Sequence, residues 1–279
     1  MTSSRLFWDW GTAYDLFVSL AVLHDPSYFG VRGAWAAGVR ARLPATARET
    51  LEQSQALGQV PVHWVYSLPE PKDGASVLWA LEQLPPAERL PALALAPEWP
   101  PDEVVSTLKD VAARGTWDQA HREALRAVGA RSSLHSQAVE KPSARELPHI
   151  LDLWAHAEDF GERYLEALRA YQEAFFAEEE RRIRPALQEA LSRAQELAAR
   201  LELLDLLEEL SQGLRFDERP GSTELVLAPS YWCTPLVFFG NVSEGREAWL
   251  FGARPPNASL VPGEVVPDAL LRTLKALSD

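Results

Sequence analysis

Between Ser143 and Gln212 the chain runs for 70 residues with a single glycine, Gly161. As one straight helix that run would extend roughly 100 Å, far beyond a compact domain in a chain of 279 residues. It must therefore fold back on itself, and Pro148, Gly161 and Pro185 are the predicted break points. Along its second half Ile183, Leu187, Ala190, Ala194, Leu197, Leu201 and Leu204 recur at alternating spacings of four and three, a heptad seam flanked by Glu and Arg. So short a seam predicts one helix of an antiparallel core hairpin; the alternative is a dimer zipper.

The residues before this run read as short helices punctuated by Pro and Gly. "TAYDLFVSLAVLHD" places Tyr14, Phe17, Val18, Leu20 and Ala21 largely on one side of a helix, and further helical patterns follow to "TWDQAHREALRAV". "VPVHWVYSLPEP" and "PEWPP" are too rich in proline for helix interiors and read as connectors, or as a short extended piece at Val60–Tyr66. "GARSSLHSQAVEKPSA", residues 129–144, is the expected flexible boundary. After Gln212 the period changes. "GLRFDE", "TELVLAPS", "PLVFFGN" and "EAWLFGA" are short apolar and β-branched runs separated by turn residues, which predict a small antiparallel sheet. The expected fold is mainly helical α+β. Its predicted regions are an N-terminal helical region 1–138, a long-helix region 139–212, the sheet at 213–256, and a linker with the start of another domain at 257–279.

Charge narrows the partners. The formal net charge is −13, distributed as −3 over 1–138, −8 over 139–212 and −2 over 213–279, so the chain by itself repels a nucleic-acid backbone. No stretch is apolar over the length a bilayer requires, and the amino terminus lacks the succession of basic head, apolar run and cleavage site of a secretion signal. A cytoplasmic protein without a membrane partner is expected. The single cysteine, Cys233, has no internal disulfide partner and is expected as a small buried hydrophobe.

Candidates for chemistry are few. His149, Asp152 and His156 share a helix face, but the two imidazoles stand two turns apart, roughly 10 Å along the axis, too far for one ion; no metal is expected. His156-Ala-Glu158 resembles half of a zinc-deaminase signature, whose other half needs two further cysteines. Carboxylate pairs such as Glu178 and Glu180 lie beside arginines, as on solvated ion-pair faces. No phosphate-binding glycine loop or nucleophile elbow is present, and no cofactor is expected. Ten tryptophans are the conspicuous excess. Most are expected in the core; the sharper expectation is an aromatic-lined pocket for a small apolar ligand, with Trp10, Tyr14 and Trp154 as its candidate residues.

The chain ends on "DALLRTLKALSD", an amphipathic stripe that has barely begun. Leu271, Leu274, Lys275, Ala276, Leu277, Ser278 and Asp279 resemble the first helix of the winged helix-turn-helix of ArsR-type bacterial repressors. In that family a Leu-x-x-Leu-Lys-Ala-Leu-Ala/Ser-Asp run is followed by Pro-Thr-Arg and the rest of the DNA-binding domain. The strong part of the likeness covers residues 230–279, where the sheet and the Pro-rich linker are similar to the long amino-terminal extension of a subgroup of these regulators. The resemblance implies a signal-sensing or dimerisation region of a homodimeric transcription regulator that reaches DNA only through a missing C-terminal domain. The recognition helix, the wing and the cysteine-pair metal sites have no counterpart here, so metal sensing is not implied. Two other functions fit the residues: a small-molecule binder or enzyme whose last helix folds back on its own domain, and a structural dimerisation module.

Overall fold

A computed structural model of the chain describes residues 5–55, 60–97, 100–131, 146–215, 222–233, 237–255, 258–259 and 261. Most of the expected boundary at 129–144, part of "GLRFDE", most of the linker, and the ArsR-like motif from Leu271 to Asp279 lie outside the described residues.

The fold is mainly α, with a small sheet. A short first strand, β1 (Arg5–Trp8), leads directly into α1 (Thr12–His24). The helices α2 (Gly33–Ala41), α3 (Ala45–Ser54), α4 (Val62–Ser67), α5 (Gly74–Gln83), α6 (Pro86–Ala94), α7 (Asp102–Arg114) and α8 (Gln119–Arg131) follow. The long run then supplies α9 (Leu147–Ala155), α10 (Ala157–Tyr171), a π-helical turn at Gln172–Phe176, α11 (Ala177–Ala198) and α12 (Leu203–Leu210). Three strands close the order: β2 (Glu224–Ser230), β3 (Phe238–Ser243) and β4 (Arg246–Gly252). Among the described residues no helix is long and apolar enough to cross a membrane.

The breaks in the long run differ from those expected. The chain turns at His156, where Asp152 O still accepts the backbone N–H but the backbone leaves helical geometry. Pro148 stands in the first turn of α9, where its missing N–H costs nothing, and Pro185 is carried within α11. Gly161 breaks nothing. It lies inside α10 because a Cβ there would stand 2.0 Å from the carbonyl oxygen of Pro86, so it permits α6 and α10 to touch backbone to backbone.

The sheet order is β1-β2-β4-β3. Only β3 and β4 pair antiparallel, as a hairpin; β1–β2 and β2–β4 are parallel, so the sheet is mixed where an antiparallel one was expected. Two pairings account for the difference: β2 lies parallel beside β4, and β1 lies parallel beside β2 from more than 200 residues away, with Arg5 aligned to Glu224 and Trp8 to Leu227. Of "GLRFDE", the described residues Gly213, Leu214 and Arg215 are not in a strand.

One apolar cluster runs from Ala13 through α9 and α10 to Ala253 and so joins three of the four regions expected from the sequence. A second joins Ala194, Leu206, Leu207 and Leu210 to Leu225, Leu227, Trp249 and Phe251 on one face of the sheet. The heptad seam feeds both. Ile183 and Leu187 enter the first cluster and Ala194 the second, all three without exposure, so these positions are spent inside the chain.

Candidate functional site

The carboxyl ends of the parallel strands gather the interior polar groups, as strand ends in open sheets commonly do. From β1 the chain passes through Asp9, Trp10 and Gly11 into α1. Gly11 is required there, because a Cβ would stand 2.4 Å from Lys72 Cβ and O. Asp15, in the first turn of α1, receives the chain leaving β2. Its carboxylate accepts Ser230 Oγ at 2.7 Å, Trp232 N–H at 2.8 Å and Tyr231 N–H at 3.2 Å, and Ser230 Oγ accepts Cys233 N–H at 3.1 Å. Glu179 of α11 completes the arrangement. It accepts the indole N–H of Trp232 at 2.9 Å and a two-pronged bond from Arg182, whose Nε stands at 2.7 Å. Arg182 also donates to Tyr231 Oη at 2.9 Å and lies 4.6 Å over that ring.

Asp15, Ser230 and Trp232 have no exposed surface. Burial pushes the Asp15 carboxyl up to about 7, against the three hydrogen bonds that favour its charged form; the Glu179 carboxylate adds to the rise. A carboxylate saturated with donors and sealed from solvent can hold elements together, but a substrate cannot reach it. Beside it, Lys72 is buried with Nζ 2.5 Å from Asp9 Oδ2 and 2.7 Å from Tyr66 O. Tyr14 donates to the same Asp9 oxygen at 2.5 Å, and burial with the neighbouring carboxylate holds its hydroxyl well above the ordinary tyrosine range.

The three pocket candidates thus part company. Tyr14 is fully buried and committed to Asp9, Trp154 is buried in α9, and Trp10 is half-buried against the main core. Of the metal candidates, His149, Asp152 and His156 are all exposed; Asp152 accepts the Trp117 indole N–H at 2.6 Å, and His156 Nδ1 faces Asp152 O at 2.9 Å. Among the described residues no three His, Cys, Asp or Glu side chains are gathered as a metal ion would need. Cys233 is buried with Sγ 3.3 Å from Leu250 O, and burial raises its thiol far above the reactive range.

A concave feature lies elsewhere. A cavity of about 140 Å³ is walled by Phe17 and Leu20 of α1, Leu90 and Leu93 of α6, Phe160 of α10 and Phe238 of β3. The half-buried Ala21, Val60, Ala94 and Gln55 also line it. Ser54, at the end of α3, and Tyr164, one turn beyond Phe160, supply its buried polar groups. Burial lifts the Tyr164 hydroxyl above the ordinary range, so it stays protonated at neutral pH. The spacing of Phe17, Leu20 and Ala21 was visible as one helix face. That this face borders a cavity, with Ser54 and Tyr164 in its wall, had no local signal, because the wall is assembled from five elements and a connector.

Comparisons of the chain with family models, with curated proteins and with solved structures found no match.

Proposed function

We propose that this chain is the signal-receiving region of an ArsR-like transcription regulator, in which occupancy of the cavity between α1, α6 and α10 sets the DNA affinity of a longer protein. The cavity is the observation that carries the reading. Its walls come from separate helices and from β3, so a molecule bound there contacts elements whose relative positions differ between any two packings of the fold. A ligand shifts such an equilibrium by its difference in affinity for the two states. Phe238 opens β3, β3 is hairpinned to β4, and β4 is the last strand among the described residues, with the segment that resembles the winged-helix start following it in sequence. That continuity supplies a short physical route from cavity to DNA-binding part.

The net charge of −13 supports a division of labour in which this part does not grip DNA. The homodimer implied by the resemblance would match a two-fold operator. Because Ile183, Leu187 and Ala194 are already buried within the chain, its interface lies outside those seam positions.

The test uses the protein encoded by the gene read through the codons after Asp279. That protein is expected to bind its upstream DNA as a dimer, while the 279-residue chain alone gives no anisotropy change with duplex DNA at about physiological salt. Filling the cavity with Ala21→Leu is expected to change the longer protein's DNA affinity about fivefold or more, the lower range of allosteric coupling. A gene without a helix-turn-helix after Asp279, or a DNA affinity indifferent to Ala21→Leu, overturns the reading.

A further inference from the structure

We infer that the cavity takes an uncharged, single-ring aromatic molecule carrying one hydroxyl or amine, of the phenol or aniline class. The inference rests on the reading of this cavity as the signal-receiving site and deepens it with a ligand chemistry. Size comes first. A cavity of about 140 Å³ is close to the roughly 150 Å³ that lets an apolar protein cavity take up benzene, so it matches one ring. Wall chemistry comes second. None of the described lining residues carries a charge, and an unpaired ion transferred there would lose its hydration without a counter-charge. Carboxylates and ammonium ions are therefore disfavoured.

The wall also favours a flat ring. Phe160 is stacked on Tyr164 at 5.5 Å between centroids, Phe238 on Phe29 at 6.1 Å, and Phe17 meets Trp64 edge-on at 6.2 Å. Rings fixed by neighbours present defined faces and edges to a further ring at little entropic cost.

The polar handle in the wall is the Tyr164 hydroxyl. Ser54 has one hydroxyl proton, and it is donated to Leu51 O at 2.7 Å. The Tyr164 hydroxyl lies in the wall and can both donate and accept, so a ligand hydroxyl or amine can pair with it, whereas a hydrocarbon ring cannot.

The experiment is calorimetric titration of the 279-residue chain with phenol, toluene and benzoate. Phenol is expected to bind saturably, about threefold to tenfold tighter than toluene, the worth of one net hydrogen bond, with benzoate weaker than both. Tyr164→Phe is expected to erase the preference for phenol while leaving toluene binding in place. Ala21→Leu and Ala94→Leu, two independent ways to fill the space, are expected to abolish binding of both; thermal melts of each variant confirm folding. The inference is overturned by absence of saturable binding, by benzoate binding best, or by an unchanged phenol-to-toluene ratio in folded Tyr164→Phe. If binding fails while Ala21→Leu still alters DNA affinity in the longer protein, the ligand class falls and the regulatory reading stands. If phenol binds as expected and DNA affinity ignores the cavity, the ligand class stands and the regulatory reading falls.

Discussion

At the scale of the residue, Asp15 shows how a side chain of unremarkable sequence context becomes the hub of an interior. Nothing in "TAYDLF" marks it, since an acidic residue in the first turn of a helix is ordinary dipole complementation. Its three donors come from Ser230, Tyr231 and Trp232, more than 200 positions along the chain. A consequence follows for stability. Unfolded, this carboxyl titrates near its ordinary value of 3.8; folded, it titrates at about 7. The folded state therefore holds a proton that the unfolded state has released, and unfolding stability falls as pH rises between those values, levelling off above the folded one. Between pH 5 and 8 the contribution lost is on the order of 2 to 3 kcal/mol. Asp15→Asn has no such titration but presents an amide N–H₂ to backbone donors, at a cost of about 1–3 kcal/mol for imperfect pairing. Urea unfolding of both proteins at pH 5 and pH 8 checks this. The stability gap between them is expected to narrow toward pH 8, and a gap independent of pH would show that Asp15 is ionised in the folded state throughout. Cys233 is the contrasting case, because its burial was readable from "SYWCTPLVFF" alone: an isolated cysteine among large apolar residues has few other places to go.

At the scale of the element, periodicity served where packing is local and failed where it is not. Most helices of the first half and the seam in α11 were legible, because apolar positions at helical spacing report burial directly; α4, in proline-flanked text read as a connector, and α6, with Pro86 and Pro91 inside it, were not. The points where the long run turns were not. Pro185 is tolerated within α11, and the irregularity falls instead on the π-helical turn Gln172–Phe176, where Phe175 and Phe176 are both driven into the core. Gly161 was misread for a physical reason: glycine in a helix signals either an end or a close approach, and sequence does not say which. The structure decides for close approach, and the variant that tests it is Gly161→Ala. Its new methyl would lie 2.0 Å from Pro86 O, so α6 or α10 must shift. The ordinary helix-propensity gain of about 1 kcal/mol for replacing glycine by alanine is then outweighed by an overpacking cost of about 1–3 kcal/mol or more. A fall in the urea midpoint without change of slope is the expected result. Because Leu90, Leu93, Phe160 and Tyr164 ride on these two helices, phenol binding is expected to weaken as well. A midpoint that rises would mean the two backbones are further apart than described.

At the scale of the whole molecule, the fold is closed by its least conspicuous element. β1 has four residues, too few to stand out against the aromatic text "RLFWDW", yet its parallel pairing with β2 ties the first residues of the chain to the last strands. Long-range parallel pairing leaves no mark in a local window, which is why an antiparallel sheet was the natural reading of the four C-terminal runs. The same pairing gives β1 a protective role. It occupies the edge of β2, and its half-buried Leu6 and Trp8 cover the cluster of Leu225, Leu227, Trp249 and Phe251. Removing residues 1–8 would leave the backbone groups of Glu224–Leu227 unpaired on that side and uncover an apolar sheet face, the combination that recruits another chain. The truncated protein is expected to melt several degrees lower, given a shift of about 2–4 °C per kcal/mol for a domain of this class. Light scattering should show it associating beyond whatever state the intact chain adopts, and Leu225→Lys in the truncated background should reverse the association without restoring the melting temperature. An unchanged melt and an unchanged molar mass would mean that β1 merely rests on the sheet, and that the parallel closure of the molecule contributes nothing to holding its two ends together.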